Sequence, residues 1–381
     1  MTISMQFIDL KAQQDRIRPQ IDEAINKVLQ HGRYIMGPEV GQLESMLADF
    51  VGVRHTIGCS SGTDALLLPL MAYGVGPGDA VFTSPFTFFA TCEMVALTGA
   101  TPVFVDIDPV TYNIDTEKLQ LSIESVQAEG RLIPRGVMPV DLFGLPADYD
   151  AIMAIAERYD LFVIEDAAQA FGATYKGSRA AGLGHVGTTS FFPAKPLGCY
   201  GDGGAIFTND DSMATVIRSL LVHGKGNSKY NNVRIGLNAR LDTLQAAILI
   251  EKMKIFADEI ELRQQVANRY TEAINSISGG VYGICPPRVP DDCSSAWAQY
   301  TIACQHRDEL QARLRNDGIP TMIYYEAPMH LLDAMKYLGY AKGDFPIAEK
   351  SSGQVLSLPM HPYLSKEDQD RVIRVMTKSQ M

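Results

Sequence analysis

The sequence predicts an α/β protein built on a mostly parallel sheet with helices on both faces. Three observations predict it. Between about Thr56 and Asn209, short apolar β-type runs alternate with helical patterns, and strict alternation makes a parallel sheet covered on both sides. Two later β-type runs, 188–193 and 204–209, bracket a Gly-rich turn with no helix between them, so part of the sheet is expected to be antiparallel. The chain has 381 residues, 46% hydrophobic and 20% charged. That composition excludes a disordered or collagenous chain, and the length suits two domains.

Taken in order, Phe7–Arg54 reads as mostly helical. Ile17, Ile21, Ile25 and Val28 recur at spacings of three and four, one face of a helix. Gly32, Gly37 and Pro38 break it, and Val40, Leu43, Met46, Leu47 and Phe50 mark a second amphipathic helix. The β-type runs that follow are 80–84, 102–107, 136–142 and 161–166, with helical patterns at 63–74, 88–99 and 149–160. From Asp242 to about Ser276 one long helical pattern suggests a spine. Shorter strands and helices follow it. We therefore expect a large domain over residues 1–250, with a helical N-terminal arm, and a small C-terminal α/β domain over 251–381. No internal repeat or low-complexity segment is visible.

Charge and motifs exclude several classes. Lys and Arg number 33 against 44 Asp and Glu, a net charge of −11. An acidic chain without a basic cluster is poorly suited to nucleic acid or anionic membrane. No apolar run reaches the ~18 residues of a membrane span. The first residues lack the apolar stretch of a secretory signal, so a cytoplasmic location is expected. The six cysteines (Cys59, Cys92, Cys199, Cys285, Cys293, Cys304) form no CxxC pair and read as reduced thiols. The seven His show no metal-ligand spacing, and no metal is expected. Residues 74–79, Gly-rich but following a helix, read as a helix stop and turn rather than a dinucleotide loop. Residues 223–229 lack the Walker spacing and read as a loop.

Three segments carry chemistry when taken together. Small residues at 59–66 precede an apolar helix, where exposed N–H groups and a positive dipole end suit a phosphate. Alone, the same residues make an ordinary Ser/Thr cap. Asp166 ends the apolar run 161–166. A carboxylate at the carboxyl end of a sheet strand lies where ligands sit and suits a protonated ring nitrogen, although a solvated acid is the plain alternative. Lys195 lies between FFP and PLG, a setting able to desolvate its ammonium and lower its pKa, as a Schiff-base lysine requires. Anion cradle, strand-end acid and buried lysine, in that order, are the three handles of pyridoxal phosphate.

Seven segments, GRYIMGPEV, CSSGTDAL, FTFFAT, VIEDAAQAFGA, TSFFPAKPLGCYGDGGA, GLNARLDTLQAAIL and LSLPMHPYL, resemble in order those of the DegT/DnrJ sugar-nucleotide aminotransferases. They span nearly the whole chain. The resemblance implies fold type I of the pyridoxal-phosphate enzymes, with a seven-stranded, mostly parallel sheet and a small C-terminal domain. It also implies a homodimer with shared active sites. Lys195 would bind the cofactor aldehyde and Asp166 the pyridine nitrogen, with Gln169 near the ring hydroxyl. Gly62, Thr63 and Ser190 would hold the phosphate, joined by Asn238 of a second subunit. Phe88 would stack on the ring, with Phe89 as the competing choice. Tyr34, Tyr325 and His330 would line the sugar-nucleotide pocket or merely pack.

The resemblance further implies ping-pong transamination from L-glutamate through pyridoxamine phosphate. Its nearest subgroup aminates C3 of a UDP-linked 3-keto-N-acetyl-hexuronic acid for O-antigen or related surface glycans. Arg240 would meet the uronate, the glutamate carboxylate, or an unrelated ion-pair partner. The alternatives are amination at C3 or C4 of a neutral dTDP- or UDP-linked keto-deoxy sugar, a small amino-acid aminotransferase, a cysteine desulfurase using Cys199, or a non-catalytic sugar-nucleotide-binding regulator.

Overall fold

The structure, a computed structural model, describes residues 5–228, 230–276 and 283–377. The helical opening separates into α1 (Leu10–His31) and α2 (Pro38–Val51). Asp9 caps α1 by accepting from the Ala12 N–H, and Gly32 ends it in the left-handed region at φ 67°, where a residue without Cβ is favoured. Pro38 starts α2, as suits a residue lacking an N–H donor.

The central region runs β1 (His55–Cys59), α3 (Gly62–Ala72), β2 (Asp79–Thr83), α4 (Ala90–Leu97), β3 (Thr101–Phe104), α5 (Thr116–Glu129), β4 (Ile133–Met138), α6 (Tyr149–Tyr159) and β5 (Phe162–Asp166). Two short strands, β6 (Thr174–Tyr175) and β7 (Ser178–Arg179), precede β8 (Val186–Ser190), β9 (Gly204–Thr208) and α7 (Asp211–Leu220). Seven strands form one sheet in the order β1-β9-β8-β5-β4-β2-β3. Strand β9 runs antiparallel to both its neighbours. The pairs β2–β3, β2–β4, β4–β5 and β5–β8 are parallel.

Neighbouring strand residues point to opposite faces, and the cores show it. Ile206 and Ile164 join α3, α4 and α7 residues such as Leu66, Met94 and Ile217 on one face. On the other face Phe207 packs with α2 residues Leu43 and Leu47 and with Phe256, while Val163 packs with Ile123 and Ile152 of α5 and α6. The alternation therefore places helices on both faces, as expected.

The expected spine is the single helix α8 (Thr243–Asn275). Its first half supplies Ala246, Leu249, Ile250 and Phe256 to the core of the large sheet. Its second half supplies Val266, Ala267, Tyr270 and Ile274 to a separate core. That core also holds β10 (Ile284–Cys285), β12 (Tyr300–Cys304) and β13 (Val355–Leu358), an antiparallel sheet of order β10-β12-β13. Helices α9 (Arg307–Asn316) and α11 (Lys366–Thr377) pack on it through Leu310, Leu314 and Val372. Short β11 (Cys293–Ser294) pairs instead with β6, and α10 (Pro346–Ser352) precedes β13. Residue 250, the expected boundary, lies within α8. Among the described residues, no helix is long and apolar enough to cross a membrane.

Candidate active site

The carboxyl ends of the parallel strands open into a cavity of about 620 Å³, where an open α/β sheet holds its ligands. Its wall includes Gly62, Thr63, Phe88, Asp166, Gln169, Ser190, Lys195 and Tyr325. These eight come from five separate stretches of the chain, and the sheet brings them together. Two larger hollows, of about 830 and 790 Å³, lie by α6 and by residues 108–117, and neither brings a lysine to a strand-end aspartate.

The cradle forms where β1 turns into α3. Ser61 is the N-cap and its hydroxyl accepts from the Asp64 N–H at 3.0 Å. Gly62 and Thr63 begin the helix, so their N–H groups have no intrahelical acceptor. A Cβ on Gly62 would stand 2.5 Å from the Ser190 Cβ. Glycine is therefore what lets the end of β8 close against the helix N-terminus.

Asp166 is buried at the end of β5. The Thr91 hydroxyl donates to its Oδ2 at 2.9 Å, and the Ala168 N–H donates to Oδ1 at 3.2 Å. Burial pushes this carboxyl above its usual range, while Thr91 and Lys195 work the other way. Burial likewise pushes the Lys195 ammonium below its usual value, opposed by Asp166. The two groups thus share a desolvated cavity in which the lysine is more readily neutral than in water.

Gln169 is held on both ends of its amide. Its oxygen accepts from the Phe143 N–H at 2.8 Å and its nitrogen donates to the Tyr325 hydroxyl at 3.2 Å. Tyr325 packs edge-on against Phe86, centroids 6.2 Å apart. Phe88 lines the cavity and is 59% exposed, whereas Phe89 packs into the core around Phe86 and Cys92. The competing choice at 89 is thereby separated from the cavity wall.

Four expected residues are not brought to this wall within one chain. Tyr34 is 47% exposed, and Asn238 is exposed on a bridge to Val222. Arg240 lines a separate cavity of about 60 Å³ with Met36, Glu44 and Arg218. His330 is buried, with Nε2 3.1 Å from Glu349 Oε1 and its ring against Phe345. It takes the packing alternative because Glu349 and Phe345, on the far side of a turn, supply its partners.

Sequence reading missed Thr91, which orients Asp166, and the wall residues Ile8, Asp202 and Gln299. Thr91 carried one signal, its position one turn after Thr87 in the FTFFAT segment. Ile8 and Gln299 come from distant parts of the chain and carried none.

Residues 15–377 match the DegT/DnrJ/EryC1/StrS aminotransferase family. The chain belongs to this family. It is 51% identical to a Pseudomonas aeruginosa UDP-2-acetamido-2-deoxy-3-oxo-D-glucuronate aminotransferase, over 94% of this chain and 96% of that one. The crystal structure of a DegT/DnrJ/EryC1/StrS aminotransferase from Brucella abortus superposes with a TM-score of 0.94, at 53% identity and covering 98% of each chain. The Bacillus subtilis NtdA structure with bound pyridoxamine phosphate superposes with a TM-score of 0.86, at 32% identity, covering 97% of this chain and 82% of that one. The DegT/DnrJ/EryC1/StrS chain described here is thus a sugar aminotransferase of fold type I that uses pyridoxal phosphate. Its cavity fits that cofactor: Gly62 and Thr63 bring N–H groups without intrahelical acceptors beside the Ser190 side chain, a cradle for a phosphate, and a buried acid and a half-buried amine line the same space.

Proposed function

We propose that the enzyme moves the amino group of L-glutamate to C3 of a UDP-linked 3-keto-N-acetyl-hexuronic acid, in the cytoplasm, for surface polysaccharide such as O-antigen. The observation that carries this reading is the 51% identity, over nearly full length, to the Pseudomonas aeruginosa 3-oxo-glucuronate aminotransferase.

In this reading Gly62, Thr63 and Ser190 bind the cofactor phosphate, and Phe88 covers one face of the ring. Asp166, oriented by Thr91 and by the Ala168 N–H, keeps the ring nitrogen protonated. Gln169 stands at the ring-hydroxyl side. When bound, the cofactor supplies an electron sink for the charge that develops at the amino-acid Cα. Lys195 binds the cofactor aldehyde. Its amine would take the proton from the glutamate Cα and, in the second half of the reaction, return a proton to C3 of the sugar. The lowered basicity of Lys195 suits both directions, because a weaker base more readily gives back the proton it takes. Tyr325, Ile8 and Tyr324 wall the cavity and limit water.

A homodimer completes the site in this proposal. Among the described residues that line it, Lys195 is the only cation, yet glutamate brings two carboxylates and the sugar nucleotide a diphosphate and a uronate. The missing charges call for groups from outside the cavity of one chain. Phe88 and Phe192, on the cavity wall, stay exposed, as do Tyr34, Ile35, Met36 and Ile235, apolar surface of the kind that pairs with another. A second copy seated there would offer Asn238 to the phosphate and Arg240 to a carboxylate.

The test is a substrate panel with the purified holoenzyme. The UDP-3-keto-uronate should be aminated at least about tenfold faster than UDP- or dTDP-4-keto-6-deoxy sugars, as one recognised charge is worth over 1 kcal/mol. Equal or faster turnover of the neutral sugars would replace this reading with the neutral-sugar one.

A further inference from the structure

The amine of Lys195 sits on a loop, and a loop alone is a poor support for a reacting group. Two side chains from one face of α8 reach this loop. The Gln245 amide oxygen accepts from the Tyr200 N–H at 2.9 Å, and its nitrogen donates to the Tyr200 carbonyl at 3.4 Å. Two turns on, Lys252 is 1% exposed. Its Nζ donates to the Gly198 carbonyl at 2.5 Å and stands 4.4 Å from the centroid of the Tyr200 ring. A lysine is almost never this deeply buried without a task for its charge.

The loop is gripped from the other side as well. The Lys195 N–H donates to Phe192 O at 2.9 Å, and the Cys199 N–H donates to Phe191 O at 2.8 Å. At Gly198 a Cβ would lie 2.4 Å from the Pro193 carbonyl oxygen. The chain therefore doubles back tightly, and the Gly198 carbonyl is turned toward α8. Glu259, two turns beyond Lys252 and itself buried, accepts from Gln13 and Tyr363 and acts on Lys252 electrostatically. Burial pushes the Lys252 ammonium down to about 8, with Glu259 opposing.

We propose that Lys252 is a positioning residue for Lys195, fixing the 195–201 loop on α8 through the Gly198 carbonyl and the Tyr200 ring. The proposal rests on the role assigned above to Lys195. Lys252 itself touches neither substrate nor cofactor. It acts by holding the amine of Lys195 where the proton must be moved, and small misplacements at such distances cost up to about 100-fold in rate.

The experiment uses the holoenzyme of Lys252→Met, with Tyr270→Phe as a control. Tyr270 lies on the same helix and donates only to Pro359 O at 3.2 Å. In Lys252→Met we expect the pH midpoint of the holoenzyme's visible band to move by about half a unit or more. Bleaching of that band by glutamate should slow by about 10- to 100-fold. Hydrogen exchange in the cofactor-free protein should rise by about tenfold or more in the 195–203 peptide. Tyr270→Phe should move none of the three. A Lys252→Met enzyme matching the parent in band midpoint and bleaching rate would overturn the proposal. Should that variant fail to fold, Lys252→Gln, which keeps a donor one bond shorter, decides by the same readings. A Lys195→Ala enzyme that keeps the band would overturn the role of Lys195 and this proposal together, whereas silence of the Lys252 variants alone would overturn only this one.

Discussion

The floor and the rim of the cavity are built by different means. On the floor, burial shifts both Asp166 and Lys195 from their usual values, and Asp166 accepts from the Thr91 hydroxyl and the Ala168 N–H. At the rim, Phe88 and Phe192 project with more than half of their surface uncovered, and Tyr34 and Ile235 are likewise exposed. In the proposed reading, the chemistry of the amino transfer is set within one chain, while the grip on the charged sugar nucleotide is left to a surface that a second copy covers.

The largest effect should come from the floor. Lys195→Ala should lower turnover by at least about 1,000-fold, as expected for loss of the group that moves the proton, in a steady-state assay at saturating cofactor. A variant within tenfold of the parent would remove the contrast altogether. Next is the rim. Ile235→Asp places a charge on a side chain that is 89% exposed, and should weaken self-association by about 100-fold. Sedimentation would show single chains at micromolar concentration, with activity falling in step. A variant that stays associated and active would place the interface elsewhere.

Those two regions were not equally legible in the sequence. Alternating β-type runs and helical patterns located β2 to β5 with α4 and α6, though not α5, and the pair of runs without a helix disclosed antiparallel β8 and β9. Asp166 and Lys195 were legible because a strand-end acid and a lysine between aromatic and Gly-rich segments are unusual in one chain. Strand β1 was not singled out, because HTIGC has neither the apolar run nor the alternation of the others. It is a strand only because β9, about 150 residues later, pairs with it. His330 was placed at the pocket by resemblance, but Glu349 and Phe345 draw it into the core. That outcome depends on a long-range fold that spacing does not encode.

Two smaller effects sharpen the contrast. His361 is buried beside Arg263, and burial holds it down at about 4, below the ~6.5 of an unfolded chain. The unfolded state then binds a proton that the folded state refuses. Stability contributed by this group is complete above pH 6.5 and lost as pH falls toward 4, by up to about 3 kcal/mol. Thermal unfolding between pH 7 and 4 should show this loss in the parent and less of it in His361→Gln. An equal loss in both would show that His361 does not carry it. Thr91→Val removes the hydroxyl that orients Asp166 and should slow turnover roughly tenfold, since hydrogen bonds to charged groups are worth about 1.5–3 kcal/mol. Thr91→Ser should restore most of it, and a Thr91→Val enzyme at full rate would show that Asp166 needs no such support.

Borohydride reduction of the holoenzyme, followed by peptide mass spectrometry, tests the central assignment most directly. The account predicts a phosphopyridoxyl group fixed on the peptide that contains Lys195, in every active chain. Label on another lysine, or an active enzyme left unlabelled, would contradict it.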